Sequence, residues 1–182
     1  MTINRLNVRY PYRRLRRADL LKPFSSEDPL MDRVKLDEYL DYSKVPGQDA
    51  FAYAANGKIM VAVAFKLMTI ADFLKEHHVN GLRSPQTWGL NLDDSCIYIE
   101  FINRNSSFTF QHKGSGSLTL KEVERYAREL GAKAILLHAD GTNPEKLASS
   151  VYEPLGFNSI SIRYPDPEWG GEVIAMLKII QS

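Results

Sequence analysis

A single cysteine, Cys96, stands among 182 residues. That excludes an internal disulfide and points to a reducing compartment. Cys96 lies in an apolar run, where an inert, buried thiol is expected rather than a nucleophile. No window approaches the roughly 20 apolar residues of a membrane span, and Met1 to Arg17 has no signal-peptide apolar core. Charge of neither sign dominates: 23 Lys and Arg face 22 Asp and Glu, for a net +1. No global field therefore selects a nucleic acid or a membrane. Histidine is scarce, four in all. The adjacent pair His77-His78 faces apart on either a helix or a strand, and no further histidine or cysteine stands at ligand spacing, so no metal is expected. Internal repeats and low-complexity segments are absent too. What remains is an ordinary globular composition, 44% hydrophobic and 25% charged, long enough to bury a core. One domain, 1-182, soluble and cytoplasmic, is the expectation.

The stretch that organises the chain is Gln111-His112-Lys113-Gly114-Ser115-Gly116-Ser117. The apolar strand pattern Cys96 to Ile102 precedes it and the helical pattern Leu118 to Leu130 follows. Two glycines allow unusual backbone angles and close approach by a ligand. The helix start contributes unpaired N–H groups and the positive end of its dipole. Together they form an anion cradle suited to phosphate or pyrophosphate. No Gly-Lys-Ser/Thr follows, which argues against a P-loop, and one glycine fewer than G-x-G-x-x-G argues against a dinucleotide fold.

Elsewhere the pattern reads strand, helix, three strands, helix, strand, helix, two strands. Asn4 to Arg14 is a first strand, with Pro11 suiting an edge. Arg13, Arg14, Arg16 and Arg17 form a short basic cluster; a solvated surface is the plainer reading, an acidic partner such as RNA the sharper one. Leu30 to Tyr42 has a helical face. Gln48 to Ala55 and Lys58 to Thr69 are strands joined at Asn56-Gly57, a hairpin signal. Ile70 to His78 fits strand or helix alike. Val79 to Ser95 is a polar connection, either a substrate-side loop or a flexible insertion. In the 118–130 helix, Leu118, Val123, Tyr126, Ala127 and Leu130 are read as inward, with Gly131 as terminator. Lys133 to Ala139 is a strand ending at His138. A helix from Pro144 runs through Leu147, Ala148, Val151 and Tyr152 to Gly156, and Phe157 to Tyr164 and Glu172 to Ile180 are the last strands.

Four places resemble the GNAT superfamily of acyl-CoA N-acyltransferases. Gln111 to Gly116 fits that family's Q/R-x-x-G-x-G/A pyrophosphate loop, between its fourth strand and third helix. Ala148 with Val151-Tyr152-Glu153-Pro154-Leu155-Gly156-Phe157 is similar to its "A…LYEKLGF" helix end. Val173 to Lys178 looks like its usual last strand, and Tyr12 to Leu20 resembles its first strand and helix entry. Two departures stand out. The loop Asn103 to Phe110 is longer than the family's turn, and Glu145 occupies the place of a frequent asparagine, with Asn143 two residues earlier.

The resemblance implies an α/β (α+β) fold, a mixed and mostly antiparallel sheet with helices on both faces. It implies transfer of acetyl from acetyl-CoA, or another acyl-CoA, to a primary amine by direct attack in a ternary complex, with no metal. CoA would be held by Gln111, His112, Lys113, Gly114, Ser115, Gly116 and Ser117, mainly through backbone N–H groups. Phe101 and Ile102 on the splayed fourth strand would supply oxyanion donors. Tyr152 takes the family's tyrosine position as general acid, with a core aromatic as the alternative. Glu100 is the candidate base, directly or through water, with a paired carboxylate as the alternative. His138 is its rival, with a satisfied strand-end histidine as the bland reading. The acceptor class stays open: a small amine, a peptide N-terminus, a lysine or an aminoacyl-tRNA. Nucleic acid enters only through Arg13 to Arg17, and a homodimer is compatible. A silent CoA-binding sensor or scaffold is the competing function.

Overall fold

In the computed structural model, the described residues are 12–14, 47–55, 58–79, 85–104, 114–142, 149–166 and 170–180. The expected helix at 30–42, the Asn56-Gly57 turn, and the segment Gln111 to Lys113 lie outside them, as do Arg16 and Arg17. The chain divides into two compact units, Met1–Ala64 with Ile102–Thr119, and Phe65–Phe101 with Leu120–Ser182. Strands β3 (Lys58–Thr69) and β4 (Ser95–Arg104) and helix α2 (Ser115–Glu129) contribute residues to both.

In the first unit, β1 (Tyr12–Arg14) pairs antiparallel with β2 (Gln48–Ala55), Arg13 opposite Ala52. Strand β2 neighbours β3. Ala50, Ala52, Val61, Val63 and Ala64 are buried.

In the second unit the strand order is β3-β4-β5-β8-β6, where β5 is Ala134–Asp140, β6 is Asn158–Ser159 and β8 is Glu172–Ile179; β7 (Tyr164–Pro165) also pairs with β8. Strand β4 runs parallel to β5, while β5, β6 and β7 each run antiparallel to β8. This is the expected mixed, mostly antiparallel sheet. Side chains alternate across a strand. Cys96, Tyr98, Ala134, Leu136, Ala175 and Leu177 share one face, packed with Ile70 and Phe73 of α1 (Ile70–Glu76). Ile97, Ile99, Ile135, Leu137 and Met176, of the other parity, are buried as well. On that second face Phe65 meets Tyr126 of α2 at 5.4 Å between ring centroids, and Lys178 bonds Glu124 of α2 at 2.6 Å. Helices therefore cover both faces, as an apolar strand such as β5 requires.

Local chemistry resolves the segment that periodicity left open. Thr69 accepts the Asp72 N–H at 3.1 Å and donates to its carboxylate at 2.7 Å, a reciprocal N-cap. The next N–H groups, from Ile70 and Ala71, reach the carbonyls of Asp94 and Leu92. So 70–76 is helical, and the described end of the 79–95 stretch caps it. Asn91 and Asp94 close that end as a turn, the Asn91 N–H donating to the Asp94 carboxylate at 2.7 Å.

Two expectations need correction. The single strand at 157–164 is two short pieces, β6 and β7, because Ser161 interrupts it. The Ala175 N–H donates to the Ser161 hydroxyl at 2.9 Å instead of to a strand carbonyl. Leu118 and Leu130 are 37% and 41% exposed. The buried stripe of α2 runs Ser115, Thr119, Val123, Ala127, at four-residue spacing, with Leu120 beside Thr119. Its first two members are small and polar, so a hydrophobicity pattern overlooks them; the Thr119 hydroxyl is satisfied by the Ser115 carbonyl at 2.9 Å. Val151 is 63% exposed in α3 (Ser149–Tyr152). A 3-10 turn, Glu153–Leu155, takes over after Tyr152 and re-aims the chain.

Candidate active site

Within the first unit, the described part of the cradle is Gly114 to Ser117. Gly114 has φ +91°, a left-handed angle that suits glycine, and its carbonyl accepts the Leu118 N–H at 3.0 Å. That makes Gly114 the cap of α2. The N–H groups of Ser115, Gly116 and Ser117 belong to the first turn, which has no carbonyl one turn back to bond. A Cβ built on Gly114 or Gly116 meets no described atom within 4 Å. Among the described residues, the space beside both glycines fits a ligand drawn up against the backbone. Gly116 has an ordinary helical φ, so Gly116→Ala should leave stability unchanged or raise it by at most about 1 kcal/mol. Under the CoA-binding role that the family resemblance implies for this loop, the variant's affinity for CoA should fall several-fold, measured by calorimetric titration; unaltered affinity would remove close backbone approach at this position.

Within the second unit, Tyr152 ends α3 half-buried. Gly156, at φ +88°, turns the chain after it, with the Gly156 N–H bonding the Glu153 carbonyl and the Phe157 N–H bonding the Tyr152 carbonyl. The Tyr152 ring meets Phe157 edge-on at 5.9 Å. Burial raises the Tyr152 pKa above its usual value, so the phenol keeps its proton at neutral pH.

Strand β4 is paired in parallel with β5 from Cys96↔Ala134 to Ile99↔Leu137. Both strands run on past the last pair. Glu100 follows Tyr98 on its face, and His138 follows Leu136 on the same face. The two rival bases are thus the first same-face residues beyond the paired segment. Phe101 and Ile102, half-buried, also lie beyond it. Glu100, with its side chain 13% exposed, is ion-paired to Lys66 at 3.0 Å, and Lys66 also holds Glu76 at 2.7 Å.

His138 is bound at both ring nitrogens: Nδ1 lies 3.2 Å from the Tyr98 hydroxyl and Nε2 lies 2.6 Å from the Tyr164 hydroxyl. His77, at the C-cap of α1, joins them. Its ring is 4.3 Å from that of Tyr98 and 5.0 Å from that of His138, with Phe73 at 5.0 Å on its own helix. Burial, then the neighbouring His77, lowers the His138 pKa to about 4; burial, then Lys66, lowers that of His77 to about 4. Both rings are therefore neutral at pH 7. Sequence reasoning missed Tyr98, Tyr164 and His77 as members of one cluster. Tyr98 was legible as sharing a strand face with Glu100, but nothing local ties Tyr164 or His77 to it.

Cys96 is buried and its thiol is pushed up to about 12 by that burial, consistent with an inert residue. Among the described residues no group of three or more His, Cys, Asp or Glu could hold a metal ion, and no helix is long and apolar enough to cross a membrane.

No protein-family profile matches the chain, and no curated protein sequence does. Solved structures do. The ribosomal-protein-S18-alanine N-acetyltransferase from Escherichia coli superimposes with a TM-score of 0.61 at 16% identity, covering 94% of each chain. Arabidopsis thaliana NAA60 in complex with acetyl-CoA gives 0.59 at 15% identity, over 94% of this chain and 98% of that one. A GNAT family acetyltransferase from Elizabethkingia anophelis with acetyl-CoA bound gives 0.51 at 17% identity, over 81% and 83%. At such identities the likeness is one of architecture, and it agrees with the strand order and pairing described above. The chain has the fold of the GNAT acetyltransferases.

Proposed function

We propose that this protein is an acyl-CoA-dependent N-acyltransferase that moves acetyl to a primary amine. The observation that carries the reading is the end of β4–β5 pairing at Ile99↔Leu137, with Glu100 and His138 next on one face, in a chain whose structural neighbours include acetyl-CoA complexes. N–H groups at the start of α2, with Gln111 to Lys113 before them, take the pyrophosphate. Phe101 and Ile102 supply backbone donors to the oxyanion.

The acceptor enters as an ammonium ion and must lose a proton before it attacks. We assign that proton to Glu100, directly or through water, with His138 as its rival. Glu100 is paired with Lys66, while the ring of His138 is hydrogen-bonded at both nitrogens and held neutral by burial. The free amine then adds to the thioester carbonyl, forming the C–N bond. The C–S bond breaks as the Tyr152 phenol gives its proton to sulfur. The second amine proton returns to Tyr152 through solvent. Amide, CoA thiol and one proton are the products.

Acetyl-CoA, a longer acyl-CoA and ATP, each at millimolar concentration, are compared in a thermal-shift measurement. The CoA esters are expected to raise Tm by several degrees and ATP to do less. No rise with any CoA ester overturns the reading. Release of free thiol against a panel of amines then tests turnover; a Tm rise without any release would instead indicate a silent CoA-binding sensor.

A further inference from the structure

We propose that Lys66 is a positioning residue for Glu100, and that Glu76, by sharing the Lys66 ammonium, keeps Glu100 able to take a proton. The inference rests on the proton-acceptor role proposed above for Glu100. All three residues belong to the second unit. The Lys66 ammonium, near the end of β3, lies 3.0 Å from the Glu100 carboxylate on β4 and 2.7 Å from the Glu76 carboxylate at the end of α1. An ammonium has three donors and can serve both. It also stands 5.7 Å from the ring centroid of Tyr98, which shares a strand face with Glu100. The Thr69 cap starts α1 directly after β3, so the helix carries Glu76 back to Lys66. Glu76 and Tyr98 thus hold the ammonium in place whether or not Glu100 carries a charge.

The three side chains differ in exposure: 13% for Glu100, 18% for Lys66 and 50% for Glu76. With Glu76 alone, Lys66 would make a surface contact of little energetic consequence. Glu100 gives the arrangement another purpose. A carboxylate so little exposed disfavours its own charge, yet a base must be charged to take a proton. Lys66 supplies the opposite charge. A whole ammonium would overshoot, because a carboxylate held that firmly is a weak base. Glu76 offsets this in two ways. It takes up part of the hydrogen bonding of Lys66, and it brings a second negative charge to the same ammonium. The other titratable groups described on this face are Tyr98 from β4, His77 from α1 and His138 from β5. Burial keeps both imidazoles neutral at pH 7, so they add no charge. Lys66 and Glu76 are therefore the charges whose removal should move Glu100 in opposite directions.

The test is a carbon-13 NMR titration of the full-length protein, labelled at its glutamate carboxyls, from pH 9 to pH 5. The Glu100 signal is the one lost in Glu100→Gln. Lys66→Met removes the cation, so Glu100 should take up its proton at a higher pH than in wild type. Glu76→Gln removes the second negative charge from an exposed position, so Glu100 should stay ionised to a lower pH. The acid limb of kcat/KM against pH should move in the same two directions, and kcat/KM at pH 7.5 should fall about tenfold in Lys66→Met. A role confined to stability would not move that limb. A Glu100 midpoint in Lys66→Met no higher than in wild type, or one in Glu76→Gln above wild type, overturns the inference. So do shifted midpoints beside an unmoved acid limb in an active enzyme. If Lys66→Met does not fold, Lys66→Gln is read the same way. The titration does not depend on turnover. A protein inactive toward the amine panel, with midpoints in the expected order, would overturn the acyltransferase reading alone; an active one with unmoved midpoints would overturn this inference alone.

Discussion

Tyr152→Phe is expected to lower kcat by about 10²–10³-fold while acetyl-CoA still raises Tm as it does in wild type. The substitution removes one oxygen and keeps the ring. The edge-on contact with Phe157 at 5.9 Å survives, and the turn around Gly156 is held by backbone groups of Tyr152 and Glu153, not by the hydroxyl. The effect should therefore fall on departure of the thiolate rather than on folding or donor binding. Burial raises the pKa of the phenol, so it stays protonated across the neutral range and can act as a donor there. Steady-state kinetics with one fixed amine decides the matter: a kcat within twofold of wild type would leave Tyr152 only its packing role.

Acid should destabilise the protein well above the range where carboxylates titrate. His77 and His138 are both held to about 4, against 6.5 for a free imidazole, with burial the first cause in each. Between those values the unfolded chain binds protons that the folded chain refuses, so stability is fully present above about pH 7 and falls as the pH drops through 6.5 toward 4. His138 alone should remove about 2 kcal/mol by pH 5, and His77, which is more exposed, somewhat less. That is a large part of a typical 5–15 kcal/mol total. Urea unfolding at pH 8, 7, 6 and 5 measures it. His77→Phe should flatten part of the slope. It should also leave stability at pH 8 equal or higher, because among the described residues the buried Nε2 of His77 has no hydrogen-bond partner. Stability that does not change from pH 8 to 5 would show that neither ring is held neutral by folding.

Much of the second unit was readable wherever the signals are local. The strand at 95–104, the helix at 115–129 and the strand at 134–140 follow runs whose apolar character is continuous or periodic. Gly131, at φ +72°, ends α2 as expected, with the Ala132 N–H reaching back to the Ala127 carbonyl. Gly156 ends its helical segment in the same manner. The segment at 70–76 was undecided because its cap partners, Leu92 and Asp94, come from a turn some twenty residues on. The strand at 157–164 was over-read because a pattern of apolar residues does not show that Ser161 takes a ladder hydrogen bond into its side chain.

The sequence by itself determined that a helix follows the glycines and where it ends, and which strand leads toward them, since caps, turns and periodicity act over a few residues; the helix starts at Ser115, three residues before the expected Leu118. Only the tertiary structure decided that His77, Tyr98, His138 and Tyr164, from four separate elements, form one cluster, and that Lys66 holds Glu100. Those meetings depend on strand register and helix docking. Register follows from burial summed over a whole face and from pairing across long sequence separations, so neighbouring residues carry no sign of which distant side chain a ring nitrogen will find.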